Sequence, residues 1–221
     1  MNSDLLLHIQ SISASKGATL VAVSKTFPPE AVRQAYDTGC RDFGENRVQE
    51  LLEKQPVLPN DIRWHLIGHL QTNKVRYIAP FIAMIHSVDS LRLLEEINKQ
   101  AAKCGRVIDC LLQFHIASEE TKFGLNREEA TELLFSESFK SMTNVRICGV
   151  MGMATFTNDE QRVRQEFRAL YGIFGWLKSA YFDDQSAFRE ISMGMSGDWE
   201  IALEEGSTMV RVGSLIFGER A

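Results

Sequence analysis

The stretch Thr19-Leu20-Val21-Ala22-Val23-Ser24-Lys25-Thr26-Phe27-Pro28-Pro29-Glu30 decides the fold. Small and branched apolar residues run into a primary amine, and two prolines then stop the strand and open a helix. Outward from it, the same unit recurs: a short run rich in Val, Ile and Phe, a turn, and a longer segment of helical period. The predicted strands are residues 19–25, 40–44, 63–67, 83–87, 107–115, 146–151, 190–193 and 209–213. Between them lie helices predicted at 47–54, 73–78, 91–104, 127–135, 159–179 and 198–205, besides the one opened by Pro28-Pro29-Glu30. Asp89-Ser90 and Asn126 supply N-caps, and Gly105 and Gly206 supply stops.

Strict alternation of strand and helix implies a parallel sheet. Eight strands but only seven following helices are counted, and Leu5, Leu6, Ile9 and Ile12 recur with helical spacing ahead of the first strand. An N-terminal helix then stands in for the eighth. The α/β class follows, with a single compact (β/α)8 TIM barrel over residues 1–221 as the expected fold. A doubly wound open sheet is the competing layout.

Composition narrows the function. With 44% hydrophobic and 24% charged residues, the chain reads as an ordinary globular protein. A net charge of -5 and a pI near 5.6 argue against a general nucleic-acid binder. No apolar run reaches the length of a membrane span, and Met1-Asn2-Ser3-Asp4 lacks the basic region of a signal peptide. Cys40, Cys104, Cys110 and Cys148 are scattered and read as free thiols of a reducing cytoplasm. No low-complexity stretch or linker divides the chain, so one domain is expected.

Functional groups of such a barrel collect at the carboxyl ends of the strands. Lys25 ends the first. A lysine there either points into water or is held at the end of a buried strand, where desolvation favours the neutral amine that condenses with an aldehyde. The segments Ser192-Met193-Gly194-Met195-Ser196-Gly197 and Gly213-Ser214 follow the seventh and eighth strands, where barrels commonly hold a phosphate. Turn glycines with solvated serines are the plainer reading. Along residues 209–213, Arg211 shares a face with Gly213 while Val210 and Val212 share the other, so Arg211 points into the barrel mouth if the valines face the helices. A buried guanidinium needs an acceptor, either a carboxylate such as Glu190 or Glu219 or an atom of a ligand. An amine, an inward arginine and a phosphate cradle on adjoining strands would suit an aldehyde carrying a phosphate.

At this point the chain resembles the pyridoxal 5′-phosphate homeostasis proteins, the YggS/PROSC family, whose fold is the alanine-racemase-like barrel (fold type III of the coenzyme's enzymes). The matching segments are residues 22–26 (Ala-Val-Ser-Lys-Thr), 43–50 (Phe-Gly-Glu-Asn-Arg-Val-Gln-Glu) and 64–74 (Trp-His-Leu-Ile-Gly-His-Leu-Gln-Thr-Asn-Lys). Further on come His86-Ser87-Val88-Asp89, Lys122-Phe123-Gly124, residues 149–154, Ser192-Met193-Gly194-Met195-Ser196 and residues 210–218. The resemblance implies that Lys25 holds pyridoxal phosphate as a Schiff base, the internal aldimine. It places Asn46 beside the ring, with His65 at the barrel mouth, and Arg211 facing the pyridine nitrogen. Ser192, Ser196, Gly213 and Ser214 would hold the phosphate. Two departures stand out: Arg47 replaces a common tyrosine, and Ser214 a common threonine.

Binding a coenzyme does not make a catalyst. Arginine at the pyridine nitrogen weakens the ring as an electron sink, and a racemase needs acid–base groups on both faces of the substrate. Tyr36, Tyr77, Tyr171 and Tyr181 all fall in predicted helices, and no second domain follows to contribute another. The expectation is therefore a non-catalytic carrier that buffers or delivers the coenzyme, with apo-enzymes that use it as partners, as a monomer with a dimer as the alternative. The rivals are a weak amino-acid racemase, a Schiff-base aldolase acting on a sugar phosphate, and a metal-dependent hydrolase built on His65, His86 and His115. The remaining features read as packing or solvated surface. Leu133, Leu134 and Phe135, and Phe167, Leu170, Tyr171 and Phe174, are expected as packed helix faces. Lys54, Lys74 and Lys178 are expected in solvent, and residues 159–168 as a solvated face with helical ion pairs.

Overall fold

The computed structural model describes residues 1–117 and 123–218. Its eight strands are β1 (Thr19–Val23), β2 (Asp42–Glu45), β3 (Arg63–Leu66), β4 (Met84–Val88), β5 (Ile108–Gln113), β6 (Val145–Met151), β7 (Glu190–Ser192) and β8 (Met209–Val212). They close in chain order into a barrel in which every pairing is parallel. β1 lies against β8, with Val21 opposite Arg211. The helices are α1 (Ser3–Ser15), α2 (Pro29–Asp37), α3 (Val48–Lys54), α4 (Val75–Ile78), α5 (Leu91–Lys103), α6 (Arg127–Phe135), α7 (Glu137–Lys140), α8 (Glu160–Tyr181), α9 (Trp199–Glu204) and α10 (Ser214–Phe217). Among the described residues, no helix is long and apolar enough to cross a membrane.

Local chemistry explains the helix starts. Ser90 and Asp159 cap α5 and α8, and Asn126 and Glu129 form a reciprocal capping box at α6. The barrel seam is covered by α1, as expected, with Leu6 and Ile9 fully buried. The Asn2 N–H donates to the Ile216 carbonyl at 2.7 Å, so α1 also ties down α10. The short helices α7 and α10 escape sequence reading because a single turn carries too little periodicity.

Alternation along the strands separates two cores. Leu20, Ala22, Phe43, Trp64, Val210 and Val212 face the helices and join the large outer core. Met84, Leu111, Cys148, Met151 and Met209 form a smaller cluster on the other face, inside the barrel. A register shift in β6 interrupts the alternation so that Cys148 and Met151, three residues apart, share this face, and Gly149 makes it feasible: at its φ of 154° a Cβ would lie 1.8 Å from the Glu190 carbonyl oxygen. Burial pushes the Cys40 and Cys148 thiols up to about 12, so they are inert packing groups.

Several bland expectations need correction. Lys54 is buried, with only 3% of its surface exposed. Phe135 and Tyr171 are exposed, although Leu133, Leu134, Phe167 and Leu170 are buried as expected. Phe135 ends α6, where its ring meets that of Tyr181 edge-on. Residues 159–168 are not merely a solvated face either. Glu166 is buried and accepts from both the N–H and the hydroxyl of Thr155, fastening the loop after β6. Arg164 and Arg168 reach across to Glu205 beyond α9.

Candidate functional site

Lys25 stands two residues beyond the end of β1, half-buried rather than in open solvent. Its backbone is gripped on both sides by α3. Lys54 Nζ donates to the Ser24 carbonyl at 2.8 Å, while Glu50 Oε2 accepts from the Thr26 N–H at 2.5 Å. Thr26 itself adopts φ 69°, a strained choice for a β-branched residue. Glu45, at the end of β2, accepts on Oε1 from both the Ser24 hydroxyl and Lys54 Nζ, each at 2.6 Å. Its other oxygen, Oε2, is buried without a hydrogen-bond partner. Burial pushes the Glu45 carboxyl up to about 7, although Lys54 and Ser24 pull against it. The placement of Lys54 had a sequence signal: it continues the stripe of Val48 and Leu51 that α3 turns inward.

A second polar network fills the barrel interior. Arg211 is buried, and its Nη1 donates to Ser192 Oγ at 2.5 Å while Nη2 donates to the Gly152 carbonyl at 3.0 Å. Ser192 Oγ lies 2.9 Å from His86 Nδ1, His86 Nε2 lies 2.9 Å from His65 Nδ1, and His65 Nε2 lies 3.0 Å from Asp42 Oδ1. Arg63 holds the same carboxylate from the rim, through Nε at 2.7 Å and through Nη2. Burial pushes Asp42 up, but the bonds from His65 and Arg63 outweigh it and hold the carboxyl below its ordinary value. Desolvation first, then electrostatic repulsion by a proton on His65 or by Arg211, holds His86 well below the usual imidazole range. Burial draws Arg211 down to about 10, which still leaves it charged at neutral pH.

This arrangement revises the sequence picture. Glu190 is not the partner of Arg211; it accepts from Thr208 Oγ1 at 2.7 Å and pairs with Arg189 at 3.1 Å. Glu219, the other carboxylate considered, and Lys122 of the matched motif lie outside the described residues. His65 does not offer a free ring nitrogen at the mouth, because His86 and Asp42 engage both. The Ser192 hydroxyl is likewise engaged by Arg211 and His86. His115 is exposed, apart from the other two histidines, and among the described residues no three His, Cys, Asp or Glu side chains converge as metal ligands would.

The other candidates share one rim. Asn46 follows β2, beside β1, and is half-buried. The Gly213 N–H donates to Ser196 Oγ at 3.2 Å, joining the two segments proposed as a phosphate cradle. At Gly213 a Cβ would lie 2.9 Å from the Val23 carbonyl oxygen, so only glycine lets β8 leave the barrel this close to β1. Ser214 opens α10, exposed. Sequence reading missed Asp42, Glu45, Glu50 and Lys54 as members of the site, and considered His86 only as a metal ligand and within a matched motif. Apart from Lys54, their signal was a polar residue at a buried strand or helix position, facing the barrel interior for Asp42 and His86 and the helical layer for Glu45, legible only once the register was known.

The geometry agrees with known proteins. Residues 6–221 match the family described as alanine racemase, N-terminal domain. The chain is 43% identical over 204 residues to the pyridoxal phosphate homeostasis protein of Aquifex aeolicus, covering 92% of this chain and 87% of that one. It is 36% identical over 206 residues to the protein of the same name from Escherichia coli, covering 91% and 86%. PipY of Synechococcus elongatus, solved with pyridoxal phosphate bound, superposes with a TM-score of 0.83 at 34% identity, over 96% of this chain and 100% of that one. Alanine racemase from Bartonella henselae shares the fold at 16% identity, with a TM-score of 0.72 over 100% of this chain and 64% of the racemase. With this barrel, these motifs and this extent of identity, the chain belongs to the pyridoxal phosphate homeostasis protein family, within the alanine racemase N-terminal-domain group.

Proposed function

We propose that residues 1–221 form a single domain that binds pyridoxal 5′-phosphate on Lys25 and serves as a non-catalytic carrier in the cytoplasm. The observation that carries this reading is Arg211, a charged guanidinium buried inside the barrel, within the field of Asp198 and hydrogen-bonded among the described residues to the Ser192 hydroxyl and the Gly152 carbonyl, one strand from the strand that presents Lys25. When bound, the coenzyme supplies an aldehyde to condense with a primary amine, a phosphate to be cradled, and a ring nitrogen that accepts a hydrogen bond. The residues present fit those three demands. Lys25 is the amine, held on a backbone that α3 fixes. Arg211 has five N–H donors, of which Ser192 and Gly152 take one each. Ser196, Gly213 and Ser214 would hold the phosphate, the Gly213 N–H here donating to Ser196 Oγ, and Asn46 would lie beside the ring. Ser192 contributes by holding Arg211, since its hydroxyl is already engaged.

The same geometry supports the non-catalytic reading. Facing the ring nitrogen, Arg211 would donate to it and leave it unprotonated, which would limit carbanion chemistry. All four tyrosines sit in α2, α4 and α8, on the helical layer, so none stands across from Lys25 as a second acid–base group. The PipY complex and the names of the relatives support coenzyme binding and a role in homeostasis. Delivery to apo-enzymes that use the coenzyme, by a monomer, completes the proposal.

The test is the visible spectrum of purified protein with added pyridoxal phosphate, beside that of Lys25→Ala. Absorbance that the substitution abolishes, without racemisation of alanine, is the expected result. Lys25-dependent turnover of an amino acid would overturn the carrier reading. A colourless protein that traps a sugar phosphate on borohydride reduction would favour an aldolase.

A further inference from the structure

Arg211 buries a full charge, yet its hydrogen bonds go to neutral oxygens, the Ser192 hydroxyl and the Gly152 carbonyl. Burying a charge this way is costly unless the acceptors are held in place and polarised. What lies behind the Ser192 hydroxyl supplies both. Ser192 Oγ accepts from Arg211, which has only donors, and with His86 neutral and its Nε2–H committed to His65, its own proton goes to His86 Nδ1. His86 Nδ1 is then the acceptor and Nε2 carries the proton, donated to His65 Nδ1. His65 is fixed in the same way: Nε2 carries its proton, donated to the Asp42 carboxylate. Every bond runs in one direction, from guanidinium to carboxylate. With both rings neutral, this direction assigns both imidazole tautomers.

The chain of groups also spans the barrel. Asp42 and Arg63 open β2 and β3 at the amino-terminal rim, whereas Ser192 ends β7 and Gly152 follows β6 at the other. From Asp42 to Arg211 each side chain of the relay comes from a different strand, and none of their atoms is left buried without a partner; among the described residues only Ser13 Oγ and Glu45 Oε2 are.

We propose that Asp42, His65 and His86 are positioning residues for Arg211: a directed hydrogen-bond relay through the barrel interior that keeps Ser192 Oγ an acceptor and so aims the guanidinium at the coenzyme ring. The relay itself rests on this chain's geometry alone; its effect on the coenzyme rests on the binding reading given above. Asp42 reaches Arg211 only through three intervening groups, so any response of the bound coenzyme to a change at Asp42 passes along the relay.

Two measurements test it. In coenzyme-free protein, 15N chemical shifts of His65 and His86 show both rings neutral and protonated on Nε2; a proton on Nδ1 of either ring overturns the relay. In coenzyme-loaded protein, Asp42→Asn and His86→Leu shift the visible absorption maximum and weaken coenzyme affinity about tenfold, the scale on which losing an outer partner of a ligating group is felt. A folded Asp42→Asn protein with the wild-type spectrum and affinity overturns the positioning role. If His86→Leu does not fold, Asp42→Asn and the 15N shifts decide. Failure of the coenzyme reading shows separately, as wild-type protein that never gains Lys25-dependent colour, and leaves the 15N result to judge the relay.

Discussion

Inside the barrel, Arg211 reaches the Asp42 carboxylate through Ser192, His86 and His65, and each link is a complete hydrogen bond. In the layer between sheet and helices, Lys54 instead lies directly on Glu45 at 2.6 Å, and Glu45 Oε2 is left without a partner. The two regions bury charge in opposite ways. The interior separates its charges and satisfies every atom between them, which preserves one geometry. The outer cluster brings opposite charges into contact and tolerates an orphan oxygen, so its strength depends on which groups are ionised. The lesson is one of division of labour: the interior network aims a group, and the outer cluster clamps a backbone, that of Ser24 and Thr26 on either side of Lys25.

The largest effect should come from breaking the outer cluster. Lys54→Met leaves a fully buried carboxylate with no countercharge and costs about 3–5 kcal/mol at pH 8, measured by urea denaturation. At pH 5 Glu45 is protonated, so the loss should shrink there. Adding Glu45→Gln to Lys54→Met removes both charges and should recover most of the stability; a double-mutant cycle without coupling would show that the two side chains do not act as a pair.

His86→Leu should cost less, about 1–3 kcal/mol, because it orphans neutral groups on Ser192 and His65 rather than a charge. A loss equal to that of Lys54→Met would erase the distinction between the regions.

A pH profile sharpens the comparison further. The Glu45 carboxyl is raised from 4.5 to about 7 by burial, so between those values the folded chain holds a proton that the unfolded chain has released. Its contribution therefore makes stability fall as pH rises from 4.5 to 7, and the loss is complete above the folded value. Glu45→Gln should flatten that fall. Asp42 has the opposite sign: held below its ordinary value, it stabilises at neutral pH and loses that contribution as pH drops through its folded value. Asp42→Asn should remove the acid-side loss and leave the 4.5–7 decline in place.

The smallest effect belongs to Phe135, exposed at the end of α6. Phe135→Ser should change stability by no more than about 0.5 kcal/mol, whereas a core role, as its neighbours Leu133 and Leu134 have, would cost several times that.

Most of the barrel was legible in the chain itself. The alternation of apolar runs with helical segments located all eight strands, and the parity of Val210, Arg211 and Val212 placed the arginine inside, because side-chain direction in a strand follows from spacing by two. The strand ends were less legible: Lys25 and Gly213 lie just past the ladder, since nothing local marks where a backbone leaves the sheet. Gly213 and Ser196 could be named as neighbours because barrel closure joins the ends of adjacent strands. What the sequence could not reveal was how buried polar groups pair. Nothing in its neighbours in the chain connects Asp42 to His65, or His86 to Ser192, which is 106 residues away. Hydrogen bonds need atoms within about 3 Å and a particular direction, and only the closed barrel sets both. By itself the sequence determined the fold, the amine at Lys25 and the inward arginine. The tertiary structure decided that Lys54 is buried, that His65 and Ser192 are already engaged, and that Lys25 stands on a clamped backbone. Periodicity records which face a residue occupies, and only packing across the chain decides what it meets there.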